Sequence, residues 1–190
     1  MAYTVAALIV LFDQITKALV EANIALGSQR PLIDGFAYLV HAQNTGAAWS
    51  LFAGLTWSRF LLAAISLAAA WLIAAAMSRS RHRTGTVLLG LILGGSVGNL
   101  IDRIRFGYVT DYLQLIFGNY RFPAFNVADA AITCGAILIV VYSLADKKFL
   151  DRLLPWLETK APPADDAGLN RRIRKQLEDA DLPADGENRS

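Results

Sequence analysis

Four long apolar segments, separated by shorter polar ones, occupy most of the first 146 residues. They lie at about 2–20, 60–77, 84–101 and 126–145. A helix needs about 20 mostly apolar residues to cross the hydrocarbon core of a bilayer. Each segment is long enough, or nearly so. The pattern therefore predicts an all-α membrane protein with four transmembrane helices.

The connection between the first two segments, residues 21–56, carries its own structural pattern. The run Phe36–His41 has strand character and follows Gly35. Structureless connections of this length are uncommon in compact proteins. We therefore expect residues 21–56 to form a small, β-containing cap on one face of the membrane.

Basic residues in the short connections predict the orientation. The 78–83 loop reads SRSRHR, and Lys147 and Lys148 follow the fourth segment. Basic residues are enriched in cytoplasmic loops, so both of these regions belong in the cytoplasm. The prediction is a multi-pass protein with both termini cytoplasmic and an extracytoplasmic cap.

The charged residues are few and concentrated at the C-terminal end. Only 18% of the 190 residues are charged, against about 25% in soluble domains. Residues 147–190 hold nine of the 18 Lys and Arg residues and nine of the 16 Asp and Glu residues. We expect a transmembrane domain at 1–150 and a charged, disordered cytoplasmic tail at 151–190. The basic residues form no stripe that would indicate a nucleic-acid partner.

Three of the remaining carboxylates are expected at the outer ends of the third and fourth segments: Asp102, Asp111 and Asp129. Carboxylates at membrane depth cost several kcal/mol and mark functional sites. Two neighbouring carboxylates cannot easily both ionise, and such a pair can activate a water molecule. A metal site that adds His41 is an alternative, but no metal-ligand spacing supports it. Cys134, the only cysteine, precludes an internal disulfide and is expected in the core.

Residue spacing gives local predictions around these carboxylates. Gly90, Gly94, Gly98 and Asp102 are four residues apart on one helix face, where small residues let a second helix approach closely. Asp102 should therefore point into the bundle. Arg103 is either an interfacial anchor or a partner of a carboxylate.

Asn126 and Asp129 have the spacing of a helix N-cap and an acid in the first turn. Asp129 is therefore either a helix-start residue or the ionised member of a carboxylate pair. Asp13 and Lys17 are spaced as an i, i+4 ion pair. A base role for Lys17 toward Ser50 or Ser96 is a weaker alternative.

The chain resembles the lipoprotein signal peptidases (signal peptidase II), a family of bacterial inner-membrane aspartic proteases. The resemblance rests on five motifs in the family's order. They are DQITK (Asp13–Lys17), NTGAAWS (Asn44–Ser50), GGSVGNLIDR (Gly94–Arg103), GYVTDY (Gly107–Tyr112) and FNVAD (Phe125–Asp129). Trp49 departs from the family, in which a phenylalanine is common at that position.

The resemblance implies that Asp111 and Asp129 are the catalytic carboxylates, a choice over Asp102 that the residues alone do not make. It implies a supporting or substrate-binding role for eight further residues: Asn44, Gly46, Asn99, Asp102, Arg103, Asn126, Asp13 and Lys17.

The family's reaction removes the signal peptide from diacylglyceryl-modified prolipoproteins by cleavage on the amino side of the modified cysteine. The implied partners are prolipoproteins and membrane lipid, and we expect a monomer without metal or organic cofactor. The site would face the periplasm. A non-enzymatic transporter or assembly factor that uses the aspartates as an ion relay is the alternative. The uncharged second segment argues against a relay through the full membrane depth.

Overall fold

The computed structural model describes residues 1–46 and 58–156, together with Arg171, Lys175 and Gln176. The chain divides into two compact units, Met1–Leu157 and Glu158–Ser190. In the second unit the three described residues are helical. Trp49 and Ser50, which the sequence analysis singled out, lie outside the described residues.

Five helices form the first unit within the described residues: α1 (Ala2–Asn23), α2 (Ser58–Arg79), α3 (Arg83–Phe106), α4 (Val127–Ala145) and α5 (Phe149–Leu153). Helix α3 is central, because α1, α2 and α4 all pack against it. A mostly helical structure is therefore confirmed. The central position of α3 matters for the site, because its C-terminal turns contact α1, α2, α4 and the strand that follows α3.

Three helices of the described chain are long and apolar enough to cross a membrane: Phe60–Arg79 of α2, α3 and α4. The remaining predicted span is α1, which has 22 residues but carries Asp13, Lys17 and Glu21. Asp13 and Lys17 are buried against the other helices. They lower the hydropathy of α1, but their side chains face the other helices and are not exposed on the outside of the bundle.

The glycine-lined face of α3 packs against α1, as its spacing predicts. A Cβ atom at Gly90 would lie 2.6 Å from the carbonyl oxygen of Ala2, and one at Gly94 would lie 2.7 Å from that of Ala6. Both distances are shorter than real Cβ contacts. The absence of side chains at these positions thus lets two helix backbones touch.

A four-stranded antiparallel sheet covers one end of the helices. Its strands are β1 (Gln29–Ile33), β2 (Ala37–Asn44), β3 (Val109–Phe117) and β4 (Tyr120–Arg121), in the order β1-β2-β3-β4. The strand predicted at 36–41 corresponds to β2. Strands β3 and β4 come from the connection between α3 and α4, so the sheet of the cap is not confined to residues 21–56. The reason is long-range pairing of β3 with β2.

Strand β3 is fastened to the helices on both of its sides. The backbone N–H of Thr110 donates to Asp102 Oδ2 of α3 at 3.1 Å. Leu113 exchanges backbone hydrogen bonds with Phe125, just before α4, at 2.8 and 3.0 Å. These bonds hold the start of β3 between the C-terminal end of α3 and the N-terminal end of α4.

Helix α5 belongs to the packed unit. Phe149 is 0% exposed and Leu153 is 1% exposed, and both lie against Gly85 near the start of α3. The predicted boundary after residue 150 therefore falls inside an ordered helix. The packed unit extends beyond that boundary, because α5 fills the space where α3 begins.

Candidate active site

Asp111 lies on β3 and is almost completely buried, with 3% exposure. Its Oδ1 accepts a hydrogen bond from Asn126 Nδ2 at 2.8 Å, and its Oδ2 accepts one from Asn44 Nδ2 at 2.9 Å. Asp111 pairs with Ala42 of β2, next to a bulge in that strand. Bulges re-aim side chains and are frequent near active sites.

Burial, and to a lesser extent the negative charge of Asp129, raise the pKa of Asp111 to about 6. The hydrogen bonds from Asn44 and Asn126 and the charge of Lys17 act in the opposite direction. A buried carboxyl beside a like charge favours its protonated form. Asp111 can therefore hold a proton at a pH where an exposed aspartate has lost it.

Asp129 lies in the first turn of α4, where Asn126 is the N-cap. Asn126 Oδ1 accepts from the Asp129 N–H at 2.9 Å, and Asp129 Oδ2 accepts from the Asn126 N–H at 3.2 Å. This capping box confirms the predicted helix start. A helix N-terminus stabilises a negative charge, so the position suits an ionised carboxylate.

Two asparagine amides connect the carboxylates, and their orientation is fixed. Asn99 Nδ2 donates to Asp129 Oδ1 at 2.7 Å, while Asn99 Oδ1 accepts from Lys17 Nζ at 3.0 Å and from Asn126 Nδ2 at 3.2 Å. Because Lys17 can only donate, the Asn99 oxygen must face it. The Asn99 amide nitrogen is thereby directed at Asp129.

A second group of charges lies behind the first. Lys17 Nζ is 2.8 Å from Asp13 Oδ2 and 2.9 Å from Asp102 Oδ2, and all three side chains are at most 3% exposed. The predicted Asp13–Lys17 pair is thus present. Asp13 Oδ1 also accepts from the Ala128 N–H at 2.9 Å, and Gln14 Nε2 donates to Asp102 Oδ1 at 2.9 Å. This buried cluster joins α1, α3 and α4.

The cluster separates Asp102 from the other two carboxylates. Asp102 is bound by Lys17, Gln14 and the Thr110 N–H, whereas Asp111 and Asp129 accept from asparagine side chains. Lys17 donates to two carboxylates and an amide, so its three N–H groups are all engaged and it has no lone pair with which to accept a proton from a serine. The alternative of a lysine base toward Ser96 therefore has no support in the contacts.

Of the two roles predicted for Arg103, pairing with a carboxylate is not found among the described residues. The Arg103 guanidinium donates to Ser66 Oγ on α2 at 3.2 Å. It lines a cavity of about 370 Å³ with Phe60, Ala63 and other residues near the N-terminal end of α2 and the C-terminal end of α3. Arg103 thus borders the carboxylates without neutralising one.

Gly46 determines which way the Asn44 amide points. The Gly46 N–H donates to Asn44 Oδ1 at 2.8 Å, so the Asn44 nitrogen is free to donate to Asp111. Gly46 has φ +81°, a conformation that side chains other than glycine rarely adopt. The Leu62 side chain also occupies the place of a Cβ. Residues 47–50 of the same motif lie outside the described part of the chain.

An apolar cavity of about 370 Å³ opens beside Asp129. Its other lining residues are mostly aromatic or aliphatic: Leu115, Phe117, Phe122, Phe125, Ala130, Thr133 and Cys134. Cys134 is exposed, so its prediction as a core residue is wrong. Residue 134 lies on the face of α4 that forms this cavity rather than on its packed face.

Local sequence patterns do not reveal several residues that hydrogen-bond β3 to α1. Tyr112 Oη donates to Thr16 Oγ1 at 2.8 Å, and Thr110 Oγ1 donates to Glu21 Oε1 at 2.6 Å. These residues lie about one turn apart on α1, but no local signal relates them to β3. His41 Nδ1 lies 2.8 Å from the Ile24 carbonyl oxygen. Within the described chain, no three His, Cys, Asp or Glu residues are grouped to hold a metal.

The family model described as Signal peptidase (SPase) II matches residues 5–145. The chain belongs to the signal peptidase II family. This confirms the resemblance inferred from the five motifs and makes the protein a peptidase. The matched region contains the capping box of α4, the buried Lys17 cluster and strand β3.

Curated relatives of this signal peptidase II chain carry the name lipoprotein signal peptidase. The protein of Listeria monocytogenes serotype 4a (strain HCC23) is 38% identical over 146 residues, which are 77% of this chain and 94% of the relative. That of Geobacillus kaustophilus (strain HTA426) is 41% identical over 140 residues, 74% and 90% of the two chains. That of Bacillus pumilus (strain SAFR-032) is 36% identical over 146 residues, 77% and 94%.

Two solved structures share the fold of this signal peptidase II chain. Both are described as a bacterial membrane enzyme determined by the in meso method, at 2.3 and 1.9 Å resolution. The first has a TM-score of 0.69 and 28% identity, and the match covers 77% of this chain and 88% of the other. The second has a TM-score of 0.70 and 28% identity, with 76% and 93% covered.

Proposed function

We propose that this protein is an intramembrane aspartic endopeptidase that removes the signal peptide from prolipoproteins whose cysteine carries a diacylglyceryl group. Cleavage occurs on the amino side of that cysteine. The observation that carries the proposal is the placement of Asp111 and Asp129. They lie on separate elements, are joined through Asn126, and differ in their surroundings.

The different surroundings suggest different proton roles. Asp129, at a helix N-terminus, takes a proton from water while the water oxygen attacks the scissile carbonyl carbon. Asp111, whose pKa is raised to about 6, donates its proton to the carbonyl oxygen. When the C–N bond breaks, Asp129 passes a proton to the cysteine nitrogen and Asp111 recovers its own from the carbonyl hydroxyl.

The supporting residues act by orientation. Asn44 and Asn126 hold the two oxygens of Asp111, and Asn99 holds one oxygen of Asp129. Lys17, with Asp13 and Asp102, holds Asn99 in its required orientation. Preorganised groups of this kind lose little freedom on the way to the transition state. The proposal needs no metal or organic cofactor.

The apolar cavity beside Asp129 supports a lipid-modified substrate. Its aromatic and aliphatic lining suits an acyl chain or an apolar side chain near the scissile bond. Arg103 borders the second cavity and can bind a carbonyl or ester oxygen of the substrate. A general protease for polar peptides has no need of an apolar surface at this place.

The proposed topology has α1 as the fourth span, both termini in the cytoplasm and the carboxylates toward the periplasm of the bacterial inner membrane. The basic 78–83 loop lies at the end of α3 opposite to Asp102, which supports it. We assign the peptidase domain to about residues 1–157, which include α5, and propose that 158–190 is a cytoplasmic tail. A single copy of the chain supplies both carboxylates, so the proposal requires only a monomer.

The test is cleavage of a purified, diacylglyceryl-modified prolipoprotein by the purified protein. Asp111→Asn and Asp129→Asn should each lower turnover by a factor of about 10² to 10⁴, because each removes a group that transfers a proton. Asp34→Asn is the matched control, since Asp34 is an exposed carboxylate in the cap. A chelator should leave the rate unchanged.

Two results would contradict the proposed metal-free carboxylate mechanism. One is normal turnover by a correctly folded Asp111→Asn or Asp129→Asn protein. The other is loss of activity with chelator that added metal restores, which would favour a metal site. Absence of cleavage by the unaltered protein in membranes that support a homologous lipoprotein signal peptidase would contradict the substrate assignment.

A further inference from the structure

A cavity of about 380 Å³ lies at the end of the helical bundle opposite to the carboxylates. It is formed by the loop between α2 and α3, the first turn of α3 and the first residues of α1. Arg83 and Asp102 are 19 positions apart on α3, which at 1.5 Å per residue is about 29 Å. The cavity is therefore separate from the catalytic site.

The polar lining of this cavity is basic. Arg81, His82 and Arg83 contribute to it, and no carboxylate is among its lining residues. Arg81 and Arg83 are exposed, and neither makes an ion pair among the described residues. Arg152, at the same end of the bundle, differs from these two arginines because it forms an ion pair with Asp146. Two guanidinium groups are thus available for an anion.

The loop that carries the arginines is held in place by other groups. Thr86 Oγ1 donates to the His82 carbonyl oxygen at 2.8 Å and is also hydrogen-bonded to Ser80 Oγ at 3.0 Å. His82 Nδ1 accepts from the Gly85 N–H at 3.0 Å, and the His82 ring packs edge-on against Phe149. These contacts fix the loop backbone without using either guanidinium group.

Part of the lining is apolar and continuous with membrane helices, although Ser80 and Thr86 also line the cavity. Ala2 and Val87 line the cavity, and the loop joins two helices that are apolar enough to span a bilayer. A ligand with a charged head and apolar tails matches this combination. A basic pocket between helices at a membrane face is a recognised kind of binding site for anionic lipid headgroups.

We propose that this cavity binds the phosphate-bearing headgroup of an anionic phospholipid. Arg81 and Arg83 bind the phosphodiester oxygens, since guanidinium groups suit phosphate geometry. The acyl chains follow the lipid-facing surfaces beside the loop. The site does not depend on the proposed peptidase reaction, because it shares no residue with the carboxylate site.

The experiment is native mass spectrometry of the purified full chain in detergent, titrated with phosphatidylglycerol, with phosphatidylcholine of the same acyl chains, or with inorganic phosphate. The double variant Arg81→Gln/Arg83→Gln tests the site. The matched control is Arg30→Gln/Arg121→Gln, which removes the same charge from exposed positions on β1 and β4. Thermal unfolding of each variant verifies that it is folded.

Each basic residue near an anionic lipid contributes about 1 kcal/mol, and 1.4 kcal/mol corresponds to a factor of ten. The loop variant should therefore bind phosphatidylglycerol about 25-fold more weakly, whereas the control should bind it as the unaltered protein does. Arg81→Lys/Arg83→Lys keeps the charge but not the guanidinium geometry, so its affinity should lie between those of the unaltered protein and the glutamine variant. Phosphatidylcholine should bind weakly to all of them.

Three outcomes would overturn the proposal. The first is equal weakening in the loop variant and the control, which would indicate a general charge effect. The second is phosphatidylcholine binding as tight as phosphatidylglycerol binding. The third is saturation of the site by millimolar inorganic phosphate with no added affinity from the lipid, which would indicate a site for a free phosphate.

Discussion

At the scale of single residues, the buried carboxylates differ in the kind of partner they have. Asp13 and Asp102 both contact the ammonium group of Lys17 in a buried cluster. Asp111 and Asp129 accept from neutral amides and backbone N–H groups. Neutral donors orient a carboxylate without compensating its charge. Asp111, whose pKa is raised to about 6 with burial as the largest cause, belongs to the second pair.

Asn44→Ala should move the pH dependence of cleavage. The Asn44 hydrogen bond lowers the pKa of Asp111, so its loss should raise that pKa above about 6. Asp111 is protonated below its pKa and ionised above it. If the protonated form acts, kcat/KM falls as the pH rises through about 6, and in the variant this decline should occur at higher pH. Measured pH profiles of kcat/KM report the shift, which belongs to the interacting pair.

The control for this prediction is Gln43→Ala. Gln43 is the preceding residue on β2, is exposed, and donates no side-chain hydrogen bond to Asp111. Its profile should coincide with that of the unaltered protein. A decline of the Asn44→Ala profile at the same or a lower pH would show that Asp111 is not the acid.

At the scale of elements, the sequence predicted what depends on near neighbours in the chain. The Asn126–Asp129 capping box and the glycine-lined face of α3 are both local patterns, and both are present. Strand β3 was missed because its pairing partner β2 is about 70 residues away. For the same reason the residues alone did not separate Asp111 from Asp102.

Gly94→Ala should loosen the packing of α1 on α3. The added Cβ would lie 2.7 Å from the Ala6 carbonyl oxygen and 2.8 Å from Ile9 Cβ, so a backbone must move. Overpacking costs about 1–3 kcal/mol, and alanine returns up to about 1 kcal/mol through its higher helix propensity. The net loss of unfolding free energy should be about 1–2 kcal/mol, measured by denaturation in detergent.

Ala68→Val is the control for the Gly94→Ala measurement. It adds methyl groups to an exposed position on α2 and should change the unfolding free energy little. Equal stability of Gly94→Ala and the unaltered protein would show that α1 and α3 are not in the close contact described.

Leu153→Ala should destabilise the protein without altering the catalytic site. Leu153 is 1% exposed and packs over Gly85, and removing a buried leucine side chain typically costs about 2–5 kcal/mol. Leu150→Ala on the same helix is the matched control, because Leu150 is 43% exposed. Thermal unfolding should separate the two variants. The same unfolding temperature for both would mean that α5 is not part of the packed unit.

At the scale of the whole molecule, α1 is the helix whose buried charged side chains reach the carboxylate site. Its charged residues lower its hydropathy, yet Asp13 and Lys17 are turned toward α3 and α4. If α1 were not packed against α3, Asn99 would lose its hydrogen bond from the Lys17 ammonium group. Lys17 of α1 therefore orients the Asn99 amide of α3, which donates a hydrogen bond to Asp129.

The last prediction concerns the form of the substrate. A prolipoprotein without its diacylglyceryl group should be cleaved much more slowly than the modified one, although the peptide sequence is the same. The lipid anchor holds the cysteine at the membrane interface before binding, so less positional freedom remains to be lost. An unmodified substrate also forgoes about 0.8 kcal/mol for each acyl CH₂ group that would be buried.

The apolar cavity beside Asp129 makes this prediction specific. Phe122→Ser and Thr133→Ser change an aromatic and a polar residue of the same cavity. Phe122→Ser should raise KM for the modified substrate more than Thr133→Ser does, because it removes apolar surface that an acyl chain contacts. Both substrates are compared in the same liposomes. Equal rates on modified and unmodified substrate would indicate a general intramembrane aspartic protease, in which the two carboxylates act on any peptide that reaches them.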